Sequence, residues 1–120
     1  MTSTQHNTTR HNIPCLSSVA ALAAGTDAWI SDIWGVLHNG LAAFPAAGEA
    51  CVRYRRQGGR VVLVTNAPQP QARVARMLAD LGVPREAYDD IVTSGDVTQR
   101  LILPYASYPF TEPRPPSENL

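Results

Sequence analysis

The 120-residue sequence predicts an α/β fold with a parallel, doubly wound sheet. Three observations predict it. Short β-branched apolar runs alternate with longer runs whose apolar residues recur at helical spacing. Gly and Pro punctuate the boundaries between them. A single acid, Asp32, ends the first apolar run, and open α/β sheets place their ligands at the carboxyl ends of strands.

Taken in order, residues 1–12 are polar and rich in Thr, Asn and His, a composition that favours disorder. His6 and His11 stand in this tail without metal-site spacing. Ser17 or Ser18 caps a short helix through Ala24, which Gly25 ends. The first strand covers 28–32. Val36-Leu37 and then Asn39-Gly40 follow, and Asn-Gly is a strong hairpin signal, so a small β-hairpin flap is expected there. Pro45 suits the first position of a helix. Ala47, Ala50, Cys51 and Tyr54 give that helix one apolar face, and Gly58-Gly59 ends it.

The run 60–64, Arg-Val-Val-Leu-Val, is apolar on both faces, as a central parallel strand requires, and it stops at Thr65-Asn66. After Pro68 and Pro70, Val74, Met77, Leu78 and Leu81 mark a second amphipathic helix that Gly82 stops. Residues 83–89 read as a loop, with Asp89-Asp90 as an exposed stretch before the strand, 91–93 as a third strand, and Ser94 as the cap of a helix over 95–101. Right-handed crossovers set the first two strand ends side by side, so Asp32 and Thr65 share a pocket. Half of the ten prolines lie from Pro104 onward, which excludes regular structure there. The expected organisation is a disordered tail at 1–14, a partial Rossmann-like core at 15–103, and a Pro-rich disordered tail at 104–120.

Composition limits the function classes. The formal net charge is zero, so nothing points to nucleic acid or an anionic membrane surface. No apolar run approaches a membrane span and no signal-peptide core is present, which makes a cytoplasmic protein the expectation. Cys15 and Cys51 show no metal or redox spacing, and Cys51 falls on an apolar helix face as a small buried hydrophobe. All ten basic residues are Arg; Lys is absent.

The pattern Asp32-x-x-Gly35-Val36-Leu37-x-x-Gly40, followed by Val-Val-Leu-Val-Thr65-Asn66 and then Ile-Val-Thr-Ser94-Gly-Asp96, resembles the haloacid dehalogenase-like (HAD) hydrolases. The nearest branch is class IIA, the NagD-like phosphatases. The resemblance covers about 27–101, the N-terminal half of that family's three-layer core. It implies Mg²⁺-dependent hydrolysis of the phosphate monoester of a small metabolite. Asp32 would be the nucleophile, forming an aspartyl-phosphate that water cleaves. Asp32 and the main-chain carbonyl of Trp34 would hold Mg²⁺, and Thr65 and Asn66 would bind phosphate.

Three departures qualify that implication. Trp34 replaces the second Asp of the family motif, and indole cannot protonate a leaving group. The family's Lys and its later acids have no counterpart, since Asp89-Asp90 precedes a strand instead of following one. Little or no phosphatase activity is therefore expected of this chain alone. The alternative is a non-catalytic phosphate- or partner-binding remnant of a truncated gene. A phosphoacceptor receiver domain also places Asp and Thr at strand ends, but it needs a Lys and an acid pair near the first strand, and both are missing. An unfinished sheet would leave an edge strand prone to pairing, so a homo-oligomer is a further partner expectation.

Overall fold

The computed structural model describes residues 13–106. Its centre is a three-stranded parallel sheet in the order β1-β2-β3. The strands are β1 (Ala28–Asp32), β2 (Arg60–Thr65) and β3 (Asp90–Thr93). Helix α1 (Ala20–Ala23) precedes the sheet, α2 (Pro45–Arg56) links β1 to β2, α3 (Gln71–Leu81) links β2 to β3, and α4 (Ser94–Ile102) follows. The α/β parallel architecture expected from the sequence is present, with the β-branched run at its centre. Asp32 pairs with Val64, and Thr65 pairs with Thr93, so all three strands end at the same edge.

Strand order explains the layering. Two right-handed crossovers taken in the same direction carry α2 and α3 to the same face of the sheet. Side chains alternate along a strand, so one set of β2 and β3 residues meets those helices. Val61, Leu63, Ile91 and Thr93 are that set, and all four are buried. They pack with Cys51 and Tyr54 from α2 and with Val74 and Leu78 from α3. Each such aliphatic side chain contributes about 1.5–3 kcal/mol on full burial. The opposite set points away: Ile30 is 79% exposed, and Val64 and Val92 are also exposed.

Tyr54 ties the base of this core together. Its hydroxyl donates to Thr26 O at 2.8 Å, and its ring stacks on Trp29 with centroids 3.9 Å apart. Gly82 ends α3 in the left-handed conformation, φ +98°, which glycine adopts without a steric cost.

Several local expectations are corrected. Residues 33–43 form a tight loop with two isolated bridges, Trp34 to His38 and His38 to Ala43, instead of a hairpin of two strands. Asn39 is the reason: its Oδ1 accepts from the N–H groups of Leu41 and Ala42, so the side chain takes donors that a ladder would use. Neither Ser17 nor Ser18 is the cap of α1: Val19 holds that position, Ser18 accepts the Ala20 N–H at 3.1 Å from one residue before it, and the helix stops at Ala23. The segment before β3 holds a 3-10 turn over Arg85–Ala87, and Ala87 is buried. Asp89 and Asp90 are both exposed, as expected, and both are tied down. Asp89 accepts from Arg55 at 2.7 Å and from Val61 N at 2.8 Å, and Asp90 opens β3. Thr93, not Ser94, caps α4, accepting from Asp96 N at 3.0 Å. Pro104 lies in a 3-10 turn over Leu103–Tyr105, so regular structure runs into the start of the tail expected to be disordered. The rest of that tail, and residues 1–12 of the N-terminal one, lie outside the described residues. Among the described residues no helix is long and apolar enough to cross a membrane.

Candidate active site

Asp32 is the last residue of β1 and Thr65 the last of β2, and these strands are neighbours. Parallel pairing therefore brings an acid and a hydroxyl to one edge of the sheet. Asp32, Trp34, Val64, Thr65 and Asn66 line a single cleft of about 580 Å³ there. All four residues singled out from the sequence, Asp32, Trp34, Thr65 and Asn66, are brought together.

Asp32, Thr65 and Asn66 are held by local hydrogen bonding. Asp32 Oδ1 accepts from the Ile33 N–H at 2.7 Å, which fixes the carboxylate at the start of the loop. Its other oxygen has no hydrogen bond among the described residues. Thr65 Oγ1 accepts from the Ala67 N–H at 3.2 Å. A hydroxyl that accepts still has its own proton, so Thr65 can donate to a ligand oxygen. Trp34 is 66% exposed and forms one wall.

Sequence reasoning did not assign the group that positions Asn66. Ser94 Oγ lies 2.8 Å from Asn66 O and 3.0 Å from Ala67 O, both acceptors. The Gly95 N–H donates to Ala67 O at 3.2 Å. Asp96 Oδ2 accepts from Gln71 N at 2.8 Å, at the start of α3. The first three residues of α4 thus anchor both ends of the 66–70 loop. Gly95 is needed for the approach: a Cβ there would meet Gln69 N at 2.6 Å and Pro68 C at 2.8 Å. The signal was the Thr-Ser-Gly-Asp run at a strand end, which reads as a cap and gives no hint of its partner.

A larger cleft, about 670 Å³, lies beside β3 and α4 and includes Asp90 and Asp96. Both carboxylates already accept from Gln71, through its side chain and its main-chain N–H respectively. This makes them structural ties. Asp89 and Asp90 also sit at the opposite end of the sheet from Asp32, because Asp90 pairs with Val62 while Thr93 pairs with Thr65.

The donor set suits a hard cation only in part. No three His, Cys, Asp or Glu side chains converge on one point among the described residues. Asp32 offers one carboxylate, and Trp34 one main-chain carbonyl. Mg²⁺ is commonly held by one or two carboxylates with substrate phosphate and water completing the shell, and this cleft has the protein share of such a site at its minimum.

Residues 29–108 match the model of a family described as haloacid dehalogenase-like hydrolase. With an acid and a hydroxyl on adjacent parallel strand ends, this match places the chain among the haloacid dehalogenase-like hydrolases, and it belongs to that family. A crystal structure of a hydrolase of the haloacid dehalogenase-like family from Brucella suis 1330 is 48% identical over 68% of this chain, with a TM-score of 0.65. The chain spans 31% of the length of that protein. No curated protein matches it.

Proposed function

We propose that the cleft is the nucleophile and phosphate-binding part of a Mg²⁺-dependent phosphate monoester hydrolase of the class IIA, NagD-like branch, and that this chain corresponds to the N-terminal portion of such an enzyme. The observation that carries the reading is the convergence of Asp32 and Thr65 on one cleft from adjacent strand ends. The ligand class is a small phosphorylated metabolite. A cytoplasmic setting is part of the same proposal.

The chemistry of the chain's own residues follows from their positions. Thr65 donates its hydroxyl proton to a phosphate oxygen, and Asn66 sits beside it at the loop start. The free oxygen of Asp32 attacks phosphorus. The bond from phosphorus to the ester oxygen breaks, and its electron pair leaves on that oxygen. Water then cleaves the aspartyl-phosphate, releasing phosphate and restoring the carboxylate. Asp32 and the Trp34 carbonyl would hold Mg²⁺, which when bound supplies neutralising charge next to the phosphate.

Two features make this chain a weak catalyst. Like unit charges roughly 4 Å apart repel by about 4 kcal/mol at an effective dielectric of ~20, and no Lys stands by to offset that between Asp32 and phosphate. Trp34 cannot protonate the departing oxygen, a role usually worth ~10²–10⁴ in rate. Substrates with acidic leaving groups lose least.

Beryllofluoride tests the assignment, because it joins a nucleophilic carboxylate as a phosphoryl mimic without any leaving group. With Mg²⁺ present, a bound fluorine resonance is expected for the full chain and none for Asp32→Asn. An equal bound signal in Asp32→Asn removes Asp32 from the role.

A further inference from the structure

The chain's two tryptophans are used differently. Trp29 lies flat on Tyr54, with an interplanar angle of 5°, and its indole N–H donates to Thr26 Oγ1 at 3.1 Å. It is packing material. Trp34 is exposed, yet it is held in place. Its main chain bridges to His38, and its ring meets the His38 imidazole edge-on, with centroids 6.1 Å apart.

The support behind it is buried. His38 is 1% exposed, and its Nδ1 accepts from the Gly40 N–H at 2.9 Å. Gly40 has φ +89°, a conformation that side chains disfavour. A Cβ at Gly40 would lie 3.2 Å from Trp34 Cζ2, so the loop closes on one edge of the indole. The indole therefore packs against His38 and the Gly40 turn in the wall of the cleft that Asp32, Val64, Thr65 and Asn66 complete.

We infer that Trp34 is a platform for a planar leaving group, and that the cleft selects aryl phosphate monoesters, phenolic or heteroaromatic, over alkyl ones. This rests on the reading of the cleft as a phosphate site. Two independent properties of the same side chain converge on the same substrates. The first is shape. With phosphate at Thr65 and Asn66, a ring joined to it through one ester oxygen meets an exposed indole that already packs edge-on against His38, so less side-chain freedom is lost on stacking. Val64, which is also exposed, adds apolar surface beside it. The second is acidity. Trp34 has no proton to give, and an alkoxide leaves poorly without one. An aryl oxide, with a conjugate acid near the phenolic pKa of ~10, departs with the P–O electron pair and takes its proton from water afterwards.

Titrations of the ¹⁵N-labelled full chain with phenyl phosphate and with ethyl phosphate test this. The two indole N–H resonances separate Trp34 from Trp29, which serves as the internal control. Phenyl phosphate is expected to shift the Trp34 signal and to bind roughly 2- to 12-fold more tightly than ethyl phosphate, the range that aromatic stacking supplies. Trp34→Ala should bring the two affinities together, and Trp34→Phe should keep most of the ratio. Equal affinities in the unaltered chain, both weakened by Thr65→Ala, would overturn the platform while leaving the phosphate site standing. Binding of neither ester would remove the phosphate site and the platform with it. The ratio in the unaltered chain decides the matter even if Trp34→Ala does not fold.

Discussion

Gly95→Ala is a one-methyl change whose effect the structure fixes closely. The new Cβ would lie 2.6 Å from Gln69 N, 2.8 Å from Gln69 O and 2.8 Å from Pro68 C. All three are backbone atoms, so no side chain can swing aside. Alanine is the better helix former by about 1 kcal/mol, and this works against the loss. To relieve the clash, α4 and the 66–69 loop must separate. That stretches the bond from Gly95 N to Ala67 O and those from Ser94 Oγ to Asn66 O and Ala67 O. Overpacking costs about 1–3 kcal/mol, and each hydrogen bond lost adds about 0.5–1.5 kcal/mol. If stretching the three bonds costs the equivalent of one, a net destabilisation of about 0.5–3.5 kcal/mol remains after the helical gain is subtracted. Urea unfolding followed by circular dichroism reads this as a drop in midpoint of roughly 0.3–3 M with the m-value unchanged. Phosphate affinity should fall as well, because the displaced loop carries Asn66. An unchanged or higher midpoint with phosphate affinity intact would show that α4 does not hold that loop.

Other perturbations probe separate parts of the molecule. Tyr54→Phe removes the donor to Thr26 O and should cost about 1–1.5 kcal/mol in the same unfolding assay; no change would mean that this tie contributes nothing. The Arg55 guanidinium, and then the Val61 N–H, hold the Asp89 carboxyl below its ordinary value. A carboxyl lowered in the folded state stabilises above its unfolded pKa and loses that contribution as pH falls through the folded one. The stability gap between the unaltered chain and Asp89→Asn should therefore be constant near neutrality and shrink below about pH 4, as urea midpoints at several pH values would show; a gap that does not shrink would contradict the pairing. Ile30→Thr, on the open face of the sheet, should change stability by no more than about 0.5 kcal/mol. A larger loss that depends on protein concentration would show that a second copy covers this face.

Much of the fold could be read from residue type alone. Val61, Val62, Leu63 and Val64 are β-branched or apolar without a break, which marks a central strand, and of these Val61 and Leu63 are fully buried. Asp32 stood out because a lone acid ends an apolar strand. What could not be read depends on partners distant in sequence. Asp89 pairs with Arg55 across 34 residues, and nothing near either one announces the other. Thr93 and Ser94 are adjacent hydroxyls, and either can cap; the choice depends on Ser94 being drawn to the 66–67 carbonyls. Asn39-Gly40 signalled a turn correctly in kind, but the Asn39 side chain satisfied the N–H groups that a hairpin ladder needs. The steric role of Gly95 was hidden for the same reason, since its neighbours come from the loop after β2. In the candidate site the residue types were legible, whereas the fixed and exposed setting of Trp34 was not. It arises from a buried His38 and a glycine with positive φ.

The most direct test of Asp32 as nucleophile is to catch the phosphoryl group on it. The full chain is incubated with Mg²⁺ and acetyl phosphate, whose leaving group needs no proton from the protein, and is then reduced with borohydride and mapped by mass spectrometry. The account predicts homoserine at position 32 and none in Asp32→Asn, with Thr65→Ala lowering the yield. Reduction products at another acid, or no modification under conditions where phosphate is shown to bind, would contradict it.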